Sequence, residues 1–140
     1  MPDKIRIMIA DDHPAVRTQL VARLSREPEF EIVCEAASSV AAIECGLKTR
    51  PQIVLIDPIM RDGYGLQAIQ RLTGDMPGCA VIVLTAFTDT AMNMALNKLG
   101  VARILAKDLD LQQLIVSLRT IGQAMAAGDG KPPAPGEGAA

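Results

Sequence analysis

The sequence predicts an α/β fold: a (βα)5 doubly wound sheet of five parallel strands. Three observations carry this. Short apolar runs alternate with helical patterns five times along the 140 residues. Four of the runs, Ile5–Ala10, Ile53–Ile56, Ala80–Leu84 and Val101–Ala106, are almost unbroken in Ile, Val, Leu and Ala, as in strands covered on both faces. Each ends abruptly in polar residues, namely Asp11-Asp12, Asp57, Thr85 and Lys107. Parallel neighbours need crossover connections, which the intervening helical patterns supply.

The elements follow in order. Lys4–Ala10 is strand one. Pro14–Glu27 reads as a helix, with Pro14 suited to its first turn and Val16, Leu20 and Leu24 on one face. Phe30–Ala36 is strand two. Ser38 or Ser39 can cap a second helix carrying Val40, Ile43 and Leu47, and Pro51 stops it before strand three. Gly63 and Gly65 punctuate the loop after Asp57, and Leu66, Ile69 and Leu72 mark a third helix. Pro77-Gly78 is a turn before strand four. A fourth helix covers about Thr90–Leu99 and ends at Gly100; the last carries Leu111, Leu114, Ile115, Leu118, Ile121 and Met125 at helical spacing. Right-handed crossovers favour the flavodoxin-like order 2-1-3-4-5, in which strands one and three are neighbours at the switch point. Asp11-Asp12 and Asp57 then meet on the rim where such sheets bind ligands.

Composition bounds the rest. Hydrophobic residues make up 49% and charged residues 21%, a globular balance in a length suited to one domain. Aromatics are 2% and Trp is absent, so aliphatic side chains and Met must fill the core. A net charge of -2 gives no electrostatic footprint for nucleic acid. No apolar stretch reaches the length of a membrane span and the first residues are no signal peptide, so a cytoplasmic location is expected. Cys34, Cys45 and Cys79 lack metal-ligand spacing and read as reduced packing residues. From Gly128 onward Gly and Pro dominate, which divides the chain into a domain of residues 1–127 and a flexible tail or linker of residues 128–140.

Three clustered carboxylates repel one another, so one or more of their pKa values should rise without a cation. Mg²⁺ suits such a set, being small and selective for oxygen ligands. A carboxylate can also attack phosphorus, and the transfer needs positioning and charge neutralisation above all. Asp57 is the expected nucleophile, with Thr85 and Lys107 as donors to phosphoryl oxygens. Each residue has a blander role available: Asp12 as a helix cap, Thr85 as a strand residue, Lys107 as a solvated cation. His13 reads as a residue that positions the loop at the helix start. The coincidence of five at strand exits favours the joint reading.

Those residues carry a resemblance. Over about residues 4–125 the chain resembles the receiver domains of two-component response regulators. The matching motifs are Ala10-Asp11-Asp12-His13-Pro14, Leu55-Ile56-Asp57 with Met60 and Gly65, Leu84-Thr85-Ala86, and Leu105-Ala106-Lys107-Asp108. Thr85 stands 28 residues and Lys107 50 residues after Asp57, as is typical of that family. The resemblance implies that Asp57 takes phosphate from the phosphohistidine of a histidine kinase or phosphotransfer protein. It implies a Mg²⁺ site of Asp11, Asp12, Asp57 and the main-chain carbonyl of Ile59. Thr85 becomes the switch hydroxyl and Lys107 the phosphate-pairing lysine. The Asp-Asp-His-Pro opening is similar to the LuxR-type subfamily, whose DNA-binding helix-turn-helix has no counterpart in these residues.

Three positions depart from the family pattern. Met60 is followed by Arg61 where Pro is usual, and Pro58 directly follows Asp57, restricting its backbone. Ile104 replaces the usual Tyr or Phe three residues before the lysine, so a ring-based switch cannot operate. Tyr64 stands where Asp is common, as a shield, a partner contact or a surface ring. Ile59 and Phe87 are expected to limit water's access to an aspartyl phosphate. Overall the chain is expected to be a phospho-accepting signalling domain and not a classical enzyme. Its output is a downstream protein partner or a further output domain, with a homodimer left open. The alternatives are an interaction module indifferent to phosphorylation, the receiver half of a transcriptional regulator, and a haloacid-dehalogenase-type phosphatase. The last needs Asp-x-Asp after strand one, where this chain has Asp11-Asp12-His13.

Overall fold

The computed structural model describes residues 4–86 and 89–128. Ten elements alternate: β1 (Ile5–Ala10), α1 (Pro14–Leu24), β2 (Phe30–Ala36), α2 (Ser39–Thr49), β3 (Ile53–Ile56), α3 (Gly65–Asp75), β4 (Ala80–Thr85), α4 (Thr90–Lys98), β5 (Arg103–Ala106) and α5 (Leu111–Ala127). They form one five-stranded sheet in the order β2-β1-β3-β4-β5, with every pairing parallel. The doubly wound (βα)5 expectation holds.

Both faces of the sheet are buried, and the pleat sorts the side chains. Ile7, Ile9, Ile53, Leu55, Ile82 and Leu84 pack with Leu20 and Leu24 of α1 and Leu114, Ile115 and Leu118 of α5. Met8, Ala10, Val54, Ile56, Val81 and Val83 pack on the other face with Ala42 of α2, Ile69 and Leu72 of α3, and Leu96 of α4. Successive side chains of a strand point to opposite faces, so the continuous apolar runs divide into two cores.

Helix starts follow local chemistry. The Ser38 side chain accepts from Ala41 N at 3.1 Å at the start of α2, and Asp89 accepts from Met92 N at 2.7 Å at the start of α4. Two boundaries differ from the sequence reading. α1 ends at Leu24, not Glu27, because Arg26 and Glu27 bond only three residues back and Pro28 disfavours a helical Glu27. β5 begins at Arg103, since Val101 and Ala102 bridge from the turn at Gly100, whose φ of 88° favours glycine.

The cysteines differ as well. Cys34 of β2 and Cys45 of α2 are joined as a disulfide, with their Cα atoms 6.3 Å apart, where three reduced packing residues were expected. Spacing could not reveal this, since a strand residue and a helix residue meet only once α2 packs on the sheet. Cys79 is buried and free.

Candidate phosphoryl and metal site

The sheet's register builds the site. Ala10 pairs with Ile56, and Asp57 N–H donates to the Ala10 carbonyl at 3.0 Å. Asp11 N–H donates to the Ala36 carbonyl of β2 at 3.0 Å. Main-chain bonds thus set Asp11 and Asp57 side by side. Thr85 closes β4 and is buried, and its carbonyl accepts from Lys107 N–H at 2.8 Å, which delivers the lysine from the end of β5. One cavity of about 270 Å³ is lined by Asp12, His13, Asp57, Ile59, Met60, Arg61, Thr85, Ala86 and Lys107. A larger apolar groove, about 700 Å³, runs beside it between α3 and α4 and contains none of the acids.

Lys107 holds the centre. Its Nζ donates to Asp57 Oδ2 at 2.5 Å and lies 2.8 Å from Asp11 Oδ2. Asp57 Oδ1 accepts from Ile59 N–H at 2.8 Å, an Asx-type turn that fixes the carboxylate. Asp11, Asp12, His13 and Asp57 each place one donor atom within 4.8 Å of the others. Asp11 and Asp57 are 2% and 4% exposed, and Asp57 lines the cavity.

At Asp11 the charge balance runs opposite to the rise expected of clustered carboxylates. Burial alone would raise the Asp11 carboxyl, but hydrogen bonds from Lys107 and His13 outweigh it and hold the group below its usual 3.8. Burial alone would lower Lys107, but Asp11 and Asp57 together lift it above its usual 10.5. The Lys107 ammonium stands between the two acids and offsets their repulsion. The linkage sign follows. The depressed Asp11 stabilises the fold fully above pH 3.8, and loses that contribution as pH falls through its lower folded value. The raised Lys107 contributes fully below pH 10.5 and loses its contribution as pH rises through its folded value. Burial also pushes the Cys79 thiol from 9.0 up to about 12, which removes stability across that interval. Urea midpoints of the metal-free domain should therefore fall at both extremes, and Lys107→Met should flatten the acid limb.

Two residues belong to the site that the sequence reading did not place there. His13 Nδ1 lies 2.8 Å from Asp11 Oδ1, 3.3 Å from Asp12 Oδ1 and 3.9 Å from Asp57 Oδ2. It stands at the start of α1 without a capping side-chain hydrogen bond, and its ring joins the cluster. Arg61 N–H donates to Asp12 Oδ2 at 2.7 Å, and its guanidinium reaches the Asp12 carbonyl at 3.2 Å. Asp12 therefore binds the β3–α3 loop and does not cap α1. Tyr64 is exposed, its N–H bonded to Asp62 at 3.2 Å. Ile104 is half-buried and packs against the core beneath α2, α3 and α4. Phe87 lies outside the described residues.

Comparison with known proteins agrees with this geometry. Residues 7–119 match the response regulator receiver domain family. The chain is 32% identical over 120 residues to the oxygen regulatory protein NreC of Staphylococcus epidermidis, covering 85% of this chain and 55% of that protein. It is also 32% identical over 121 residues to the transcriptional regulatory protein DegU of Brevibacillus brevis, covering 86% and 51%. The chain thus spans about half the length of these curated relatives. Among solved structures it is similar to a LuxR-family two-component response regulator from Aurantimonas, with a TM-score of 0.77 and 25% identity over 93% of this chain and 89% of that one. The isolated receiver domain of RcsB from Salmonella enterica serovar Typhimurium, solved with the phosphomimetic BeF3⁻, matches with a TM-score of 0.74 and 26% identity, covering 96% and 95%. Among the described residues no helix is long and apolar enough to cross a membrane. With the fold, the strand-exit acids and the matched residues in agreement, the chain belongs to the response regulator receiver domains of two-component signalling, on the LuxR-type side of that family.

Proposed function

We infer that Asp57 accepts a phosphoryl group from the phosphohistidine of a histidine kinase or phosphotransfer protein, with Mg²⁺ held by Asp11, Asp12, Asp57 and the carbonyl of Ile59. One observation carries this reading: Lys107 bridges Asp57 and Asp11 at the wall of a cavity that Thr85 also lines. The donor set fits the cation: carboxylate oxygens of Asp11, Asp12 and Asp57 converge within 4.8 Å, and Asp11 and Asp57 are buried. When bound, Mg²⁺ would neutralise charge on the acids and on the incoming phosphoryl oxygens.

Asp57 is held by Ile59 N–H on one oxygen, leaving Oδ2 as the attacking atom. The O–P bond forms as the donor's N–P bond breaks, and the imidazole leaves. Lys107 then pairs with a phosphoryl oxygen in place of the esterified Oδ2, and the Thr85 hydroxyl donates to another. That added charge biases the end of β4, α4 and β5 between two arrangements. Ile104 supplies no ring to that rearrangement, so the shift runs through α4 and the surface of Met92, Asn93, Asn97 and Arg103. Output passes to a protein partner or a further domain. Residues 1–127 would form the receiver and residues 128–140 a tail or linker, in the cytoplasm, with no nucleic acid or membrane contact of its own.

The test is direct. Acetyl phosphate or a phosphorylated kinase, with Mg²⁺, should add the mass of one phosphoryl group, and chelation should abolish it. A chain that stays unlabelled with Mg²⁺ present overturns the reading and leaves the phosphorylation-independent module, which Arg61 on Asp12 favours. Arg61 competes with the cation for Asp12. Arg61→Ala should therefore tighten Mg²⁺ by about two- to fivefold, the scale of an exposed pair, measured by calorimetric titration.

A further inference from the structure

The disulfide raises a question that the phosphoryl site does not answer. Disulfides required for folding belong to small chains that cannot build a core. This chain buries two continuous layers around its sheet. Accessible disulfides are reduced where thiol buffers operate, as in the cytoplasm expected for this chain. Bond and location agree only if the pair cycles.

The placement of the two residues supports this. Cys34 is 7% exposed, while Cys45 on α2 is half-buried and the more exposed of the two. Their Cα separation of 6.3 Å lies within the range that a disulfide spans. Cys34 sits at an irregular point of the edge strand: the register passes from Ile7↔Ile32 to Met8↔Cys34, leaving Val33 as an extra residue. Such bulges bend a strand locally. The third thiol, Cys79, is buried and free just before β4, with β1 and β3 between it and β2 in the sheet order.

Both elements that carry the pair lead to the acids. Two residues beyond Cys34, the Ala36 carbonyl accepts from Asp11 N–H at 3.0 Å. At the other arm, Ser39 N–H at the start of α2 donates to Asp62 Oδ2 at 2.8 Å. Asp62 adjoins Arg61, whose N–H holds Asp12 at 2.7 Å. A change in how α2 seats on β2 therefore reaches Asp11 through a main-chain bond and Asp12 through the side-chain carboxylates of Asp62 and of Asp12 itself.

We propose that Cys34 and Cys45 are a reversible dithiol–disulfide site whose state is transmitted through β2 and α2 to Asp11 and Asp12. Oxidation by a peroxide balances in two steps. The Cys45 thiolate attacks a peroxide oxygen, giving a sulfenic acid and one water. The Cys34 thiol then displaces that hydroxyl as a second water, forming the S–S bond, so two electrons pass from the sulfurs to the peroxide. A dithiol reductant returns two electrons and two protons to the cysteines by thiol–disulfide exchange. Only the consequence for cation and phosphoryl chemistry rests on the reading of the acids given above.

The experiment uses the full chain, reduced, metal-free, and in a Cys79→Ala background beside the wild type. Hydrogen peroxide should remove both remaining thiols from alkylation with the mass loss of two hydrogens and no dimer. A dithiol should restore both under native conditions. Cys45→Ser should abolish the mass change while unfolding cooperatively. Between the two redox states the amide resonances of Asp11, Asp12 and Asp62 should shift. Thiols that stay alkylatable after peroxide, a bond the dithiol cannot open in the folded chain, or unmoved resonances would each overturn the proposal. None of these readouts requires phosphorylation or bound metal, so failure of the phosphoryl reading stays distinguishable.

Discussion

Asp57→Asn should eliminate phosphoryl uptake, lowering labelling by more than about a thousandfold, as expected when a covalent nucleophile is removed. The amide oxygen can still accept from Ile59 N–H, as the Asp57 carboxylate does at 2.8 Å, so the loop keeps its anchor. The amide nitrogen replaces the oxygen that accepts from Lys107, which keeps Asp11 as its partner at 2.8 Å. The variant should therefore unfold cooperatively with a urea midpoint near that of the wild type. Intact mass after incubation with acetyl phosphate and Mg²⁺ reads the first effect, and circular dichroism in urea reads the second. Residual stoichiometric labelling of the variant would move the acceptor elsewhere.

Gly65→Ala should give the largest loss of stability, about 3 kcal/mol or more, beyond the usual range for overpacking. A Cβ built on Gly65 would lie 1.8 Å from the carbonyl oxygen of Pro58. That neighbour is main chain, so no rotamer change relieves the clash. Either α3 or the Pro58 segment must move, and Pro58 is bonded directly to Asp57. Stability and phosphoryl uptake should thus fall together, unlike in Asp57→Asn. Gly63→Ala makes a contrast: its added carbon meets nothing within 4 Å, and only its φ of 77° is strained, a cost of about 1 kcal/mol.

The order of strands and the five strand-exit residues were legible because both rest on short-range pattern. An apolar run of four to six residues followed by a polar side chain is visible in one dimension, and topology rules leave few ways to arrange five such units. The main-chain bonds from Asp57 to Ala10 and from Lys107 to Thr85 then follow from pairing register. What was not legible depends on side chains meeting across the fold. Arg61 reaches Asp12 over 49 residues, and no local signal marks that pair. His13 could be read as a helix-start residue, but not as a neighbour of three carboxylates. Cys34 and Cys45 meet only after α2 seats on β2. The direction of the Asp11 shift required the position of the Lys107 ammonium, which no spacing supplies.

Because peptide groups fix where the acids stand, charge at this rim is exchangeable while the frame underneath stays put. Neutral amides could be written into positions 11, 12 and 57 with the strand register kept, at a cost in the side-chain bonds to Lys107. A silent variant of the domain is thus a few substitutions away, able to dock its partners without answering to them.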